Sequence, residues 1–122
     1  MRADALSEVL RMLNTSSAEI EASAVVSIDG LTMASLLSEG IDEDRVGAMA
    51  AALVSLGTRA AEELRRGAVE QVMVRGERGY ILLANAGREA AVVVVANEAA
   101  KLGLVFLDLK RSAARIAEIL GR

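Results

Sequence analysis

The chain has 122 residues, 53% of them hydrophobic and 25% charged, with a formal net charge of −3. That length predicts a single domain over residues 1–122, burying about two thirds of the unfolded surface in one core. Without cysteine or histidine, disulfides, thiolate metal sites, cysteine nucleophiles and the usual general base are excluded, and net acidity argues against nucleic-acid binding, which rests on neutralising phosphates.

The opening, MRADALSEVL, is broken by charges and lacks the apolar core of a signal peptide. The next residues, ADALSEVLRMLN, set Leu6, Val9, Leu10 and Leu13 at helical spacing. The TSS at Thr15 to Ser17 is expected to break that helix. IEASAVVSI then alternates, which predicts a strand with Ile20, Ala22, Ala24, Val26 and Ile28 on one face. In VVSIDGLTMAS, Val25 to Ser35, Asp29-Gly30 stands between two such runs, a strong hairpin signal because glycine takes positive φ without steric cost. No second carboxylate lies beside Asp29 to build a metal site, so a turn is expected. LTMASLL supplies the returning strand.

Asp42, Glu43 and Asp44 suit the positive end of a helix dipole, and a long helix is expected from about Glu43 to Arg66, with Gly67 as its stop. VEQVMVRGE alternates, placing Val69, Gln71, Met73 and Arg75 on one face. GYILLANA and AAVVVVAN are apolar at nearly every position, so both are expected to be central strands covered on two sides. The run AAVVVVA is far short of the ~20 residues of a membrane span, so a cytoplasmic domain without membrane insertion is expected. LGLVFLDLKRSAARIAEILGR closes the chain as a helix with Leu109, Ala113, Ile116 and Leu120 inward.

At 1.5 Å per residue the central helix would be ~36 Å long. Winding it separates three stripes. The large residues Val46, Met49, Leu53, Leu56, Ala60 and Leu64 are expected to pack on the sheet. A polar ridge holds Arg45, Ala48, Ala52, Ser55, Arg59, Glu62, Glu63 and Arg66. Between them run Gly47, Ala51, Val54, Thr58 and Ala61. An exposed alanine-rich helix would explain small residues, but Gly47 and Gly57 each cost ~1 kcal/mol relative to alanine. Close packing against a second subunit is therefore expected there.

The order of elements, with VVSIDGLTMAS, VMVRGERGYILL and NEAAKLGLVFLDLKRSAARIAEIL, resembles the roadblock / dynein light chain family from about Leu6 to Leu120. The resemblance implies an α+β, roadblock/profilin-like fold. Its five-stranded antiparallel sheet carries the central helix on one face and the terminal helices on the other. It also implies dimers that join sheets edge to edge and pair central helices, and regulation or scaffolding of Ras-like small GTPases. No catalytic residue, cofactor or metal comes with it. The chain lacks G-x-x-x-x-G-K-[ST] and so has no phosphate cradle of its own.

Other motifs have plainer readings. GERG, Gly76 to Gly79, resembles a nucleotide-backbone clamp, but the strand-like runs around it predict a hairpin loop. Lys101, Lys110, Arg111, Arg115 and Arg122 read as a solvated helix face interspersed with Asp108 and Glu118. Arg59 and Arg66 have the chemistry of arginine fingers, against the simpler expectation of pairing with Glu62 or Glu63.

The expected function is a non-enzymatic homodimeric regulator of a Ras-like small GTPase. The self-contact is assigned to Gly47, Ala51, Val54, Thr58, Ala61, Val69, Gln71, Met73 and Arg75. GTPase docking is assigned to Arg45, Ser55, Arg59, Glu62 and Arg66. The alternative is an architectural scaffold that tethers partners without affecting hydrolysis.

Overall fold

The computed structural model describes residues 2–121. The order is α1 (Arg2–Ser16), β1 (Ile20–Ser27), β2 (Thr32–Leu36), α2 (Glu43–Glu63), β3 (Gln71–Gly76), β4 (Gly79–Ala86), β5 (Ala90–Asn97) and α3 (Leu102–Ile119). The strands form one antiparallel sheet in the order β2-β1-β5-β4-β3. The two apolar runs are central, as expected, and β2 and β3 are the edges.

Leu6, Val9, Leu10 and Leu13 of α1 are all buried. The helix does not break at Thr15. The Thr15 and Ser16 hydroxyls donate to the carbonyls of Arg11 (3.0 Å) and Leu13 (2.7 Å), so both residues stay in the last turn. Leu109, Ala113 and Ile116 of α3 are likewise buried, and Leu120 is half-buried.

β1 departs from simple alternation. Its pairing with β5 slips between Ile20 and Ala22, which puts Ile20 on the same side as Val25, while Ala24 and Val26 face the other side. A one-residue slip moves side chains to the opposite face, so Ile20 does not share a face with Ala24 and Val26. Ile28 lies past the strand end and is exposed. The hairpin forms as expected: Gly30 has φ +90 and its N–H donates to Ser27 O at 3.0 Å. The Ser27 N–H donates to Leu31 O at 2.8 Å, so the loop is three residues, Ile28, Asp29 and Gly30. GERG is also a hairpin, with Gly76 paired to Gly79 across Glu77-Arg78.

One face of the sheet is covered by α1 and α3. Leu6, Leu10, Leu13, Leu82, Leu109 and Ile116 fill that layer. Among the described residues the other face carries only α2, with a smaller core of Ala24, Val26, Val46, Ala50, Leu83 and Val93.

α2 is rotated from the expected setting. Val46, Gly47 and Ala50 are its buried residues, with Leu53 and Val54 packed on the same core. Met49, Leu56 and Leu64 are 56%, 66% and 70% exposed, so the stripe of large residues mostly faces out. The small stripe turns inward: Gly47 is buried, and Ala51, Val54, Thr58 and Ala61 are half-buried. The glycines account for this. A Cβ on Gly47 would lie 2.4 Å from Gly30 O, and one on Gly57 would lie 2.9 Å from Val72 Cγ2. Their close packing is against the chain's own first hairpin and β3.

The helix also stops earlier than expected. Leu64 is its C-cap. Arg65 N–H donates to Glu62 O (3.1 Å) and Arg66 N–H to Ala61 O (2.7 Å), a Schellman closure. Arg65, not a glycine, supplies the left-handed residue at φ 56. Val69 is corrected too. It precedes β3, and its Cγ2 would be 3.8 Å from a Cβ on Gly57. Gln71, Met73 and Arg75 pair with Ala84, Leu82 and Tyr80 and face the α1/α3 layer, where Leu82 and Ala84 belong. The Arg75 guanidinium lies 5.7 Å from the centre of the Tyr80 ring.

Candidate functional site

The surface of α2 has three parts, each fixed by how the helix meets the sheet. Asp42 caps its start, accepting from Asp44 N–H at 2.9 Å. The Thr32 hydroxyl donates to Glu43 O at 3.0 Å, and Gly47 rests on Gly30. The first turn is thereby tied to the hairpin, and Gly57 sets the second half down on Val72.

The first part is the outward apolar stripe of Met49, Ala52, Leu56 and Ala60, continued by Leu64 past the helix end, all exposed. Residues at this spacing form one continuous strip along a helix. An exposed large apolar surface is informative where scattered single residues are not.

The second part is the polar ridge. Arg45, Ser55, Arg59 and Glu62 are exposed along α2. Arg66 is not on the helix; it follows the C-cap and its Nε donates to Leu64 O at 3.1 Å. Among the described residues Arg59 pairs only with Glu63, at 3.9 Å, with the two side chains 72% and 74% exposed. Such pairs contribute little, so the guanidinium is available to another carboxylate.

The third part was not foreseen from the sequence. Between its two glycine contacts, α2 leaves a groove of about 290 Å³ beside β1 and the start of β5. Val26, Ile28, Ala51, Val54, Thr58 and Ala91 line it, and Arg59 is the one charged lining residue. Gly47 and Gly57 were the sequence signal for close approach, but periodicity does not reveal which surface is approached.

Asp29 lies in its turn, and among the described residues no three acidic side chains gather to hold a metal ion. No described helix is long and apolar enough to cross a membrane. Lys101, Lys110, Arg111 and Arg115 are exposed at the start of α3 or along it, with Asp108 half-buried and Glu118 exposed; Arg122 lies outside the described residues.

Residues 6–96 match the model of the Roadblock/LC7 domain. An uncharacterized protein of Methanocaldococcus jannaschii, MJ1340, is 41% identical over 97 residues, 80% of this chain and 84% of that one. The fold is similar to the gliding protein MglB from Thermus thermophilus, with TM-score 0.85 and 22% identity over 97% of this chain and 90% of that chain. It is also similar to a Roadblock/LC7 domain from Streptomyces avermitilis, with TM-score 0.88 and 20% identity over 95% of this chain and 98% of that chain.

Proposed function

The chain belongs to the Roadblock/LC7 family, and on that premise we propose that it is a non-enzymatic homodimer that regulates a Ras-like small GTPase. The observation that carries this reading is the pair of surfaces on α2, an exposed apolar stripe and, around the helix from it, a polar ridge with a groove. The stripe takes the self-contact. Met49, Leu56 and Leu64 replace Gly47, Ala51, Val54, Thr58 and Ala61 in that role, because the latter set is turned toward the sheet. β3 supports the same contact. It is an edge strand with Met73 and Val74 exposed, and an open edge of that kind is an aggregation hazard until paired.

The GTPase docks on the ridge of Arg45, Ser55, Arg59 and Glu62, beside the groove. Arginine is enriched at binding hot spots, where truncation costs about 2 kcal/mol or more. The protein contributes no nucleotide chemistry; it acts by holding the GTPase's own residues.

Two measurements test the reading. Leu56→Arg converts a sedimenting dimer to a monomer and leaves far-UV circular dichroism nearly unchanged; a wild type that is already monomeric at micromolar concentration defeats the dimer. Titration of wild type and Arg59→Glu into the Ras-like GTPase of the same genome, in GTP and GDP forms, shows weaker binding by the variant. Faster hydrolysis on binding supports a regulator, whereas an unchanged rate makes the protein a scaffold. Equal binding by both proteins removes the ridge as the docking surface.

A further inference from the structure

Charge is unevenly placed along this chain. Between Met12 and Asp44 there are seven acidic residues and no lysine or arginine. The fold gathers several of them around the first hairpin. Gly30 O packs against Gly47, and Thr32 is bonded to Glu43, so the tip lies against the first turn of α2. Leu31, 69% exposed, is two residues after Asp29 and next to Thr32, whose hydroxyl donates to the Glu43 backbone carbonyl; Arg2 lines one groove with Asp29 and Glu89.

The opposite arrangement occurs on α3. Leu104 and Leu107 are exposed on its outer face. Lys101 is three residues before Leu104, and Lys110 and Arg111 are three and four residues after Leu107, so all three cations neighbour the leucines on the helix surface. Arg115 continues the row and reaches Met12 Sδ of α1 at 3.3 Å, and Met12 is also exposed. Asp108, half-buried, is the one acid in this stretch of the helix.

We propose that these two surfaces bind each other between copies of the chain: the acidic, leucine-tipped hairpin of one protomer docks on the basic, leucine-studded outer face of α3 of the next. Both halves of a complementary pair are present on one molecule, with apolar residues at the centre of each and opposite charges at each rim. Charges so arranged raise the rate of encounter and fix the pairing. A hairpin on one copy meeting α3 on the next closes where it is reciprocated across a two-fold axis or carried round a ring, and otherwise extends from copy to copy. Neither surface includes the β3 edge or the outward stripe of α2. The contact is therefore separate from the homodimer and links whatever unit the protein forms into larger assemblies.

Sedimentation velocity over a range of concentrations tests this with the protein alone. Wild type at low ionic strength shows a weight-average sedimentation coefficient that rises with concentration, and the rise disappears at about 1 M salt, where screening acts within about 3 Å. Asp29→Lys and Arg111→Glu each abolish the rise while keeping the wild-type far-UV spectrum, with Glu43→Lys as a second hairpin variant. Mixing is the decisive measurement. Asp29→Lys keeps a basic α3 and Arg111→Glu keeps an acidic hairpin, so an equimolar mixture regains concentration-dependent growth that neither variant shows alone. Wild type that does not grow, single variants that grow as wild type does, or a mixture that fails to regain growth each overturn the proposal.

Discussion

On the side of the sheet covered by α1 and α3, two helices press leucines and an isoleucine into a layer where Leu10, Leu109 and Ile116 are fully buried. On the other side a single helix contributes Val46 and Ala50, with Leu53 and Val54 half-buried. The first layer is held by side-chain volume. The second is held by proximity: the backbone of α2 comes down on the hairpin at Gly47 and on β3 at Gly57, and strand side chains such as Leu83 and Val93 fill what remains. A helix packed through its small residues keeps its large ones for other contacts. That is why Met49 and Leu56 are free on a helix whose inner face is nearly all alanine, glycine and valine.

The contrast can be broken most severely from the thick side. Leu109→Ala removes a fully buried side chain and should cost about 2–5 kcal/mol, whereas Leu53→Ala on the α2 side should cost about 1 kcal/mol. Urea midpoints at a fixed protomer concentration measure the difference, and equal losses would mean the two layers are equally packed. Next in size is Gly47→Val. Its Cβ meets a backbone oxygen that cannot give way cheaply, so a loss of about 1–3 kcal/mol is expected. A neutral result would show that α2 does not rest on Gly30. The smallest change is a gain. Arg65 holds a left-handed conformation that costs a non-glycine residue about 1–2 kcal/mol. Arg65→Gly should therefore stabilise the fold by roughly 1 kcal/mol, read as a higher urea midpoint, without altering the secondary structure.

The order of elements, the α1 core positions, the hairpin at Gly30 and the central placement of β4 and β5 were all legible in the sequence, because each rests on local periodicity or turn chemistry. The setting of α2 was not. Its sequence offers two apolar stripes, and the rule that large residues go inward chose Met49 and Leu56 over Gly47 and Val54. What reverses the choice is long-range: the Gly30 backbone stands where a Cβ at position 47 would sit and a Val72 methyl crowds position 57, and neither is adjacent to α2 in sequence. In β1 the departure from alternation is a matter of pairing as well, since the slip beside Ile20 shows only in its register with β5. At the helix end Gly67 looked like the natural stop, but the Schellman bonds close two residues earlier and Arg65 accepts the strain. Of the residues expected to dock a partner, Arg45, Ser55, Arg59 and Glu62 lie along one helix, while Arg66 falls beyond its shortened end.

Tyr80 is the only tyrosine, and the chain has no tryptophan. It is half-buried on β4, paired across from Arg75 of the edge strand, with the guanidinium against its ring. Nearly all of the protein's native ultraviolet emission therefore originates one strand in from the free edge of the sheet. Any event that moves Arg75, such as a second strand arriving beside β3, changes the electrostatic surroundings of that single fluorophore. The molecule carries its own optical reporter for the edge, readable during dilution or titration without a label.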